Sequence, residues 1–333
     1  MSVFAPSVAS FWRQIEDYGI DAEPLFKKHG IPKSTLFDQN ARISDLKIDR
    51  ISAEVVEQTE DPFFGLKEEK YFLPTHIGPL GFAWLASTSL RSAMERLQRY
   101  IKVLHENLVI EITEKQDTLV ISASASSPYA NPVYRDDAQL AILTRMCRFI
   151  VGDKWNPVKI TYVHPPPADT SYYFQLFRCP VEFNAKKNSM HIDRQKAEQR
   201  LTGSNKQLAQ LNDHIVVRYL ASQAKGDIVN RVKTAILEKL GEGSVTESTI
   251  ADELHMSTRN LNRKLVAEST SFKALLLEIR SELASQYISD ATLTLTEISF
   301  MLGFSEISSF SRAYKRWTGM SPSEARRDNP ERP

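Results

Sequence analysis

Apolar residues near the end of the chain recur in two similar patterns, each of which predicts a helix-turn-helix. The equivalent apolar pairs are Ile250 and Ile298, Leu254 and Leu302, Leu261 and Phe310, and Leu265 and Tyr314. The offset between the copies is 48 residues in the first helices and 49 in the second helices, so one residue is inserted near the turn of the second copy. The pattern therefore indicates an internal repeat, with helical units at residues 246–266 and 294–318.

Polar residues at the predicted helix starts support both copies. Thr294 begins a capping-box pattern, and Thr246 and Ser257 take cap positions in the first copy. Gly303 is placed to end a helix in the left-handed conformation that glycine tolerates. We expect Ser305 to cap the helix that follows.

The segment between the two copies contains neither glycine nor proline. Its apolar residues repeat at helical spacing, and they are Phe272, Leu275, Leu276, Ile279, Leu283 and Tyr287. We expect one continuous connector helix that holds the two units at a fixed separation. Two reading helices on one rigid support can enter successive major-groove segments on one face of DNA, about 34 Å apart.

Polar side chains are expected on the outer face of the second helix in each copy. Arginine, lysine, asparagine and serine are residue types that contact base edges and phosphates. The predicted DNA-binding residues are Arg259, Asn262, Arg263 and Lys264 in the first copy and Ser308, Ser311, Arg312 and Lys315 in the second. An isolated surface arginine is usually only solvated, but equivalent positions in two capped copies favour DNA contact.

This segment resembles the DNA-binding domain of the AraC/XylS family of bacterial transcription regulators. The resemblance is carried by Ile298, Gly303, Phe304, Phe310, Arg312, Tyr314, Lys315, Gly319, Ser321 and Pro322. It implies an all-α domain over residues 227–329, with reading helices at 257–266 and 306–318. Ser299 stands where the family usually has alanine, and Ala325 where it usually has an aromatic residue. The implied partners are double-stranded promoter or operator DNA and RNA polymerase.

The first 200 residues predict a different, mixed architecture. Ser89 begins a long helical pattern, residues 108–113 and 118–124 alternate as a β-hairpin, and another helix begins near Tyr134. Helices and strands alternate loosely, so we expect an α+β domain over residues 1–200.

The same half resembles the N-terminal, arabinose-binding-like domain of one AraC-type subgroup. Segments 77–81, 155–158 and 177–183 carry this resemblance. It implies a sensor domain for a small-molecule effector, but it names neither the effector nor the residues that bind it. Polar atoms that could turn into a cavity there belong to Trp84, Tyr100, His105 and Arg145, although each is more often a satisfied core residue.

Residues 201–226 link the two predicted domains. Leu208, Leu211, Ile215 and Tyr219 repeat at helical spacing, and this stripe either packs against its own domain or forms a dimer contact. A short joint at residues 224–227 follows. So short a joint suits the transmission of an effector signal to the DNA-binding domain.

Composition is compatible with a two-domain protein. The chain has 333 residues with 42% hydrophobic content, which is enough for two cores. No apolar run approaches the ~20 residues of a membrane span, and the N-terminus lacks the pattern of a signal peptide. Its two cysteines, Cys147 and Cys179, do not make a disulfide framework. We therefore expect a cytoplasmic protein without a membrane partner.

The chain carries less net positive charge than is common for a DNA-binding protein. The whole chain carries +1, and residues 227–333 contain 14 Lys and Arg against 15 Asp and Glu. The positive residues are instead clustered at 259–264, 312–316 and 326–327. We expect modest nonspecific affinity, with base readout and DNA fit supplying much of the discrimination.

The sequence contains none of the common catalytic or metal-binding motifs. A phosphate-binding glycine loop, Gly-x-Ser-x-Gly, His-Glu-x-x-His and Cys-x-x-Cys are all absent. No catalytic residue, metal or cofactor is predicted. The sequence is interpreted as a DNA-binding transcription regulator that senses a small molecule through its N-terminal domain. Two alternatives stay open: control by a protein partner, and an enzyme domain fused to a DNA-binding module.

Overall fold

A computed structural model describes most of the chain and divides it into two compact units. The described residues are 1–125, 132–223, 228–240, 245–288 and 293–327. The units comprise residues 1–217 and 218–333. The predicted joint at residues 224–227 lies outside the described residues. No helix in the described part of the chain is long and apolar enough to cross a membrane.

The first unit combines helices with two sheets. Its helices are α1 (Ala9–Asp17), α2 (Ala22–Lys28), α3 (Asp45–Thr59), α4 (Phe64–Lys67), α5 (Pro79–Leu85), α6 (Leu90–Tyr100), α7 (Pro132–Val151), α8 (Ser171–Phe177), α9 (Arg194–Glu198) and α10 (Lys206–Gln223), which runs past the unit boundary. Its strands are β1 (Ser2–Phe4), β2 (Arg42–Ser44), β3 (Leu108–Lys115), β4 (Thr118–Ala125), β5 (Lys159–Thr161), β6 (Val181–Glu182) and β7 (Ser189–Asp193). The α+β fold class is confirmed.

The larger sheet has the strand order β3-β4-β7-β5-β6, and the smaller sheet pairs β1 with β2. β3 and β4 form the predicted antiparallel hairpin, in which Lys115 pairs with Thr118 across a two-residue turn. β5 and β6 pair in parallel, whereas the other neighbours in this sheet are antiparallel. Ser89 caps α6, as predicted, by accepting a hydrogen bond from the backbone N–H of Ser92 at 3.1 Å.

Helix α7 is fixed within this unit by a close backbone approach. A Cβ at Gly65, in α4, would lie 2.5 Å from the carbonyl oxygen of Tyr134. Only glycine permits the two helices to approach so closely. The Tyr134 side chain packs beside Phe11 and Phe64, with ring centroids 5.6 and 5.7 Å away.

Helix α10 presents two different faces. Ala209, Asn212, Asp213 and Val216 are buried, and Asp213 Oδ1 accepts a hydrogen bond from Arg96 Nε at 2.6 Å. Three members of the predicted apolar stripe, Leu208, Leu211 and Ile215, are exposed, and Leu211 is 59% exposed. Packing of α10 against its own domain therefore does not explain why these three exposed residues are apolar.

Every regular element in the described residues of the second unit is a helix. Its helices are α11 (Ile228–Lys239), α12 (Glu247–Glu253), α13 (Thr258–Ala267), α14 (Phe272–Ile288), α15 (Leu295–Met301), α16 (Ile307–Thr318) and α17 (Pro322–Arg327). α12 with α13 and α15 with α16 are the two helix-turn-helix units, and α14 is the predicted connector. This part of the fold prediction is confirmed.

The two helix-turn-helix units share one hydrophobic core. Leu261 of the first copy and Phe310 of the second belong to a single cluster, which also contains Leu275 and Ile279 of α14. α14 has 17 residues, so it is about 26 Å long. Residues along the connector therefore belong to the same core as both copies, which favours a rigid unit.

Candidate nucleic-acid interface and effector cavity

The turns of the two copies have the same backbone geometry. His255 and Gly303, 48 residues apart, both adopt a left-handed conformation, with φ of 55° and 70°. The next backbone N–H bonds back into the first helix in each copy, from Met256 to the carbonyl of Ala251 and from Phe304 to that of Ser299, both at 3.0 Å. The repeat therefore extends to individual hydrogen bonds.

Three of the four predicted helix caps are confirmed. The side chains of Thr246, Ser257 and Thr294 accept hydrogen bonds from backbone N–H groups of α12, α13 and α15. Gly303 lies one residue beyond the C-cap of α15 and is left-handed, as predicted. Glu297 also accepts from the backbone N–H of Thr294 at 2.7 Å, which lowers the pKa of this exposed carboxyl.

The prediction that Ser305 caps α16 is wrong. The N-cap is Glu306, whose backbone is extended and whose side chain makes no cap hydrogen bond. Glu306 lies 49 residues after Ser257, the cap of α13, so Ser305 is the residue inserted in the second copy. The insertion lengthens the turn by one residue and moves the helix start beyond Ser305.

The predicted DNA-binding residues lie on the sides of α13 and α16 that face away from the core. In α13, where Leu261 and Leu265 are buried, all of Arg259, Asn262, Arg263 and Lys264 are exposed. In α16, where Phe310, Ala313 and Tyr314 are buried, Ser308, Arg312 and Lys315 are exposed and Ser311 is half-buried. Both helices thus present a polar, cationic surface.

Arg263 and Arg312 occupy equivalent positions and make equivalent contacts. Arg263 Nη2 donates to Asn260 Oδ1 at 3.0 Å, and Arg312 Nη2 donates to Ser309 Oγ at 3.4 Å. Each guanidinium is therefore drawn toward the N-terminal end of its helix. Neither is paired with a carboxylate in the part of the chain that the structure describes, and the remaining donors of each fork are available for a bidentate contact.

Val266 was missed by the sequence reasoning. It is 69% exposed and lies three residues after Arg263, on the same face of α13. An apolar side chain in this position can contact the methyl group of thymine. The sequence feature that could have identified Val266 is a β-branched residue outside the buried stripe of Leu261 and Leu265, on a face of α13 where apolar residues are not expected.

Arg280 of α14 was also missed, and it fixes the second copy. Its Nε donates to the carbonyl of Leu302 at 2.8 Å and its Nη2 to the carbonyl of Gly303 at 2.9 Å. Its guanidinium carbon lies 4.4 Å from the ring centroid of Phe304. A cation at the C-terminus of α15 complements the helix dipole, although burial lowers the pKa of this guanidinium.

The second copy has an aromatic core in which two positions depart from the family pattern. Phe310 packs against Phe304 and Tyr314 with ring centroids 5.8 Å apart in both pairs. Ser299 is 0% exposed, and its hydroxyl has no hydrogen-bond partner among the described residues. Ala325 is half-buried and packs against this core.

The first unit contains a cavity of about 260 Å³. One face of α3 supplies Asp45, Ile48, Asp49 and Ser52 to its wall. α7 supplies a second face that includes Arg135, Ala138 and Leu143, and α6, β3 and β4 add further apolar residues. A mostly apolar wall with a few polar groups is typical of a small-molecule site.

Of the four candidates named from the sequence, His105 lines this cavity, and the other three are not part of its described wall. Trp84 is fully buried and its Nε1 donates to the carbonyl of Met146 at 2.9 Å. Arg145 lies 3.8 Å from Glu69 and 3.7 Å from Asp153. Tyr100 is a buried core residue.

Two of the carboxylates in the cavity wall have partners within the protein. Asp49 Oδ1 pairs with Arg135 Nη2. Glu68 accepts hydrogen bonds from Ser10 Oγ at 2.7 Å and from Tyr134 OH at 2.8 Å, and burial raises the pKa of Glu68. The sequence reasoning did not find these residues, although Asp45 and Asp49 are four residues apart in a segment that also carries buried Ile51 and Val55.

Comparison with known proteins bears on both units. Residues 19–201 match the family described as the arabinose-binding domain of AraC transcription regulator, N-term, and residues 250–328 match a helix-turn-helix domain. The chain belongs to the AraC family of transcription regulators. It is thus a DNA-binding regulator, and α12–α13 and α15–α16 lie within the matched helix-turn-helix segment except for the first residues of α12.

Similarity to several transcription regulators extends over nearly the whole chain. The ornithine utilization regulator of Pseudomonas aeruginosa is 27% identical over 314 residues, which are 94% of this chain and 92% of that protein. The transcriptional regulator VirS of Mycobacterium tuberculosis is 23% identical over 94% of this chain and 92% of its own. The crystal structure of the transcriptional regulator CdpR from P. aeruginosa aligns with a TM-score of 0.48 and 19% identity, covering 96% of this chain and 98% of that one.

Proposed function

We propose that α13 and α16 read two successive major-groove segments on one face of an operator. The observation that carries this proposal is that both helices expose polar faces while their apolar faces belong to one shared core. The contacts are assigned to Arg259, Asn262, Arg263, Lys264, Ser308, Ser311, Arg312 and Lys315. Arg263 and Arg312 would read base edges, and Lys315 would contact phosphate.

Footprinting on DNA tests this proposal. Operator DNA can be selected from a random pool by the full chain and then cleaved with hydroxyl radicals in the complex. We expect two protected segments on one face, one helical turn apart. Protection confined to a single turn would contradict a bipartite operator.

We further propose that the cavity of the first unit binds a small-molecule effector. Its volume of about 260 Å³ lies just below the 300–1,000 Å³ range of ordinary ligand pockets, which suits a small metabolite. The matched domain is described as arabinose-binding, and one relative is named for ornithine utilization. L-Arabinose and L-ornithine are therefore the first compounds to test.

Filling the cavity tests effector binding. Ala138 lines the cavity and is buried, so Ala138→Met should occupy part of the space. We expect a compound that raises the melting temperature of the parent protein to have little effect on this variant. An unchanged response would place the effector elsewhere, and a compound turned over by the parent protein would favour the enzyme alternative.

We propose that the effector acts through the orientation of the DNA-binding domain. The two affinities should then be reciprocally coupled, typically by about 1–3 kcal/mol. A long Gly/Ser segment inserted after residue 226 should preserve DNA binding and abolish the effector response. If the lengthened protein responds as the parent does, control by a protein partner becomes the better hypothesis.

A homodimer through α10 is proposed from its exposed stripe, because Leu208, Leu211 and Ile215 form an apolar face that is exposed to solvent. Leu211→Glu should weaken self-association in sedimentation equilibrium, whereas Leu277→Glu, an exposed leucine of α14, should not. Equal behaviour of the two variants would reject α10 as the contact.

We propose that this DNA-binding regulator acts in the cytoplasm, at the chromosome, together with RNA polymerase.

A further inference from the structure

One carboxylate in the cavity wall lacks the partners that its neighbours have. Asp45 is 4% exposed, and neither of its side-chain oxygens accepts a hydrogen bond within the described chain. It lies on the same face of α3 as Asp49, whose charge is balanced by Arg135. The two acids therefore differ in that only Asp49 is bound to a cation.

His105 is a group beside Asp45 that could carry a positive charge. Its Nε2 lies 3.5 Å from Asp45 Oδ2, which is too long for a good hydrogen bond. The backbone N–H of Asn107 donates to Nδ1 of the same ring at 3.2 Å, so the proton of the neutral ring is on Nε2. Burial lowers the pKa of His105, which disfavours a positive charge on this ring.

A buried carboxylate without a cationic partner is strongly unfavourable. The position of Asp45 at the start of α3 gives partial compensation from the helix dipole. It does not supply hydrogen-bond donors to the two oxygens, because neither is bonded. A ligand that brings both a positive charge and N–H donors would satisfy them.

We propose that the cavity binds a small organic cation, with a primary ammonium group held by Asp45 and an aliphatic part against the apolar wall. This assignment rests on the proposed effector function of the cavity. An ammonium group has three donors and no acceptor, which complements two carboxylate oxygens that lack donors. The aliphatic part would pack against residues such as Leu97, Ile101 and Leu143.

Binding to the full chain by calorimetry and thermal shift tests the assignment. The cationic probes are n-butylamine, putrescine and L-ornithine, and the matched uncharged or anionic probes are n-butanol, butyramide and valerate. We expect saturable binding of at least one cation. Asp45→Asn should weaken that binding about 10- to 100-fold, because a charge-assisted hydrogen bond is lost. Glu57→Gln makes the same carboxyl-to-amide change on the exposed side of α3 and should bind as the parent does.

A second readout does not depend on the ligand. If Asp45 is unpaired in the free protein, Asp45→Asn should melt at the same temperature or higher, and Asp45→Glu should keep measurable cation binding. A large loss of melting temperature in Asp45→Asn would show that Asp45 has a structural partner and would overturn the assignment. Equal cation affinity in the parent and Asp45→Asn would also overturn it.

The outcomes separate this assignment from the effector proposal. Binding of an uncharged or anionic probe that Ala138→Met abolishes, without binding of any cation, would reject the cationic class and keep the cavity as the effector site. Failure of every probe, together with the absence of a copurified small molecule in native mass spectrometry, would reject both.

Discussion

In the first helix-turn-helix, Ser257 caps α13 with its side chain, and the core between the helices is aliphatic. In the second, Glu306 makes no side-chain cap at the start of α16, and the core is an aromatic cluster around Phe310. Arg280 joins the second copy to α14 through two carbonyls, whereas the residue 48 positions earlier is buried Val232.

The two copies share the geometry of their turns but differ in the contacts that support each copy. Both turns keep a left-handed residue and the same backbone hydrogen bond, because these determine the angle between the two helices. The supporting contacts differ, since they depend on which helix each copy packs against. The second copy is held additionally by a close approach, in which a Cβ at Gly303 would lie 2.7 Å from the carbonyl oxygen of Leu240.

The largest effect is expected for Gly303→Ala. A left-handed alanine costs about 1–2 kcal/mol, and the contact with Leu240 should bring the total loss to about 2–4 kcal/mol. Gly319→Ala is the matched control, because Gly319 has φ of 85° and open space at its Cβ position. Amide hydrogen exchange in α15 and α16 of the full chain measures both. Equal losses would mean that the close approach to Leu240 contributes nothing.

Replacing the two equivalent arginines tests whether the copies read DNA separately. Arg263→Ala and Arg312→Ala should each weaken specific binding by about 1–3 kcal/mol and relax base preference in one segment only. Titration of the selected operator and its single-base variants measures this. Loss of preference at the same base pair in both variants would contradict separate readout.

A smaller effect is expected for Lys315→Ala, because a phosphate contact is independent of sequence. Binding should weaken on all DNA, and the salt dependence should become less steep by about one ion. Lys273→Ala, an exposed lysine of α14, serves as the control for loss of one positive charge. If both lysine variants change the salt dependence equally, the effect reflects net charge rather than a contact.

The smallest effect is a gain in stability. Ser299→Ala removes a buried hydroxyl that has no described partner and gives the second copy the residue that the first has at Ala251. We expect a stabilisation of about 1 kcal/mol, measured by the same exchange experiment. Ser285→Ala, on the exposed side of α14, should change stability by less than about 0.5 kcal/mol. Destabilisation by Ser299→Ala would show that the hydroxyl is bonded.

Local patterns were sufficient to predict the features that depend on neighbouring residues. The caps at Thr246 and Thr294, the connector α14 and the β3–β4 hairpin follow from spacing along the chain. The cap of α16 was predicted one residue too early, at Ser305 instead of Glu306. Serine is the residue type that more often caps a helix, and the sequence does not show where in the turn the extra residue is inserted.

The cavity and the Arg280 contact depend on residues that are distant in sequence. Asp45 and Arg135 line one cavity although 90 positions separate them. A polar residue on a helix normally indicates the solvated face, so the spacing of Asp45 and Asp49 was not recognised as the inner face of α3. Arg280 likewise has the sequence features of a surface residue, because its two carbonyl partners, Leu302 and Gly303, lie 22 and 23 residues further along the chain.

The spacing between the two DNA segments tests most directly whether α13 and α16 are held at a fixed separation in one rigid unit. In the selected operator, two, five or ten base pairs are inserted between the contacted segments, and the affinity of the full chain is measured for each. Because both copies share a core with α14, every insertion should remove the contribution of one segment, and ten base pairs should not restore it. Recovery of the parent affinity at ten base pairs, where both segments again face the same side, would show a flexible connection and contradict the account.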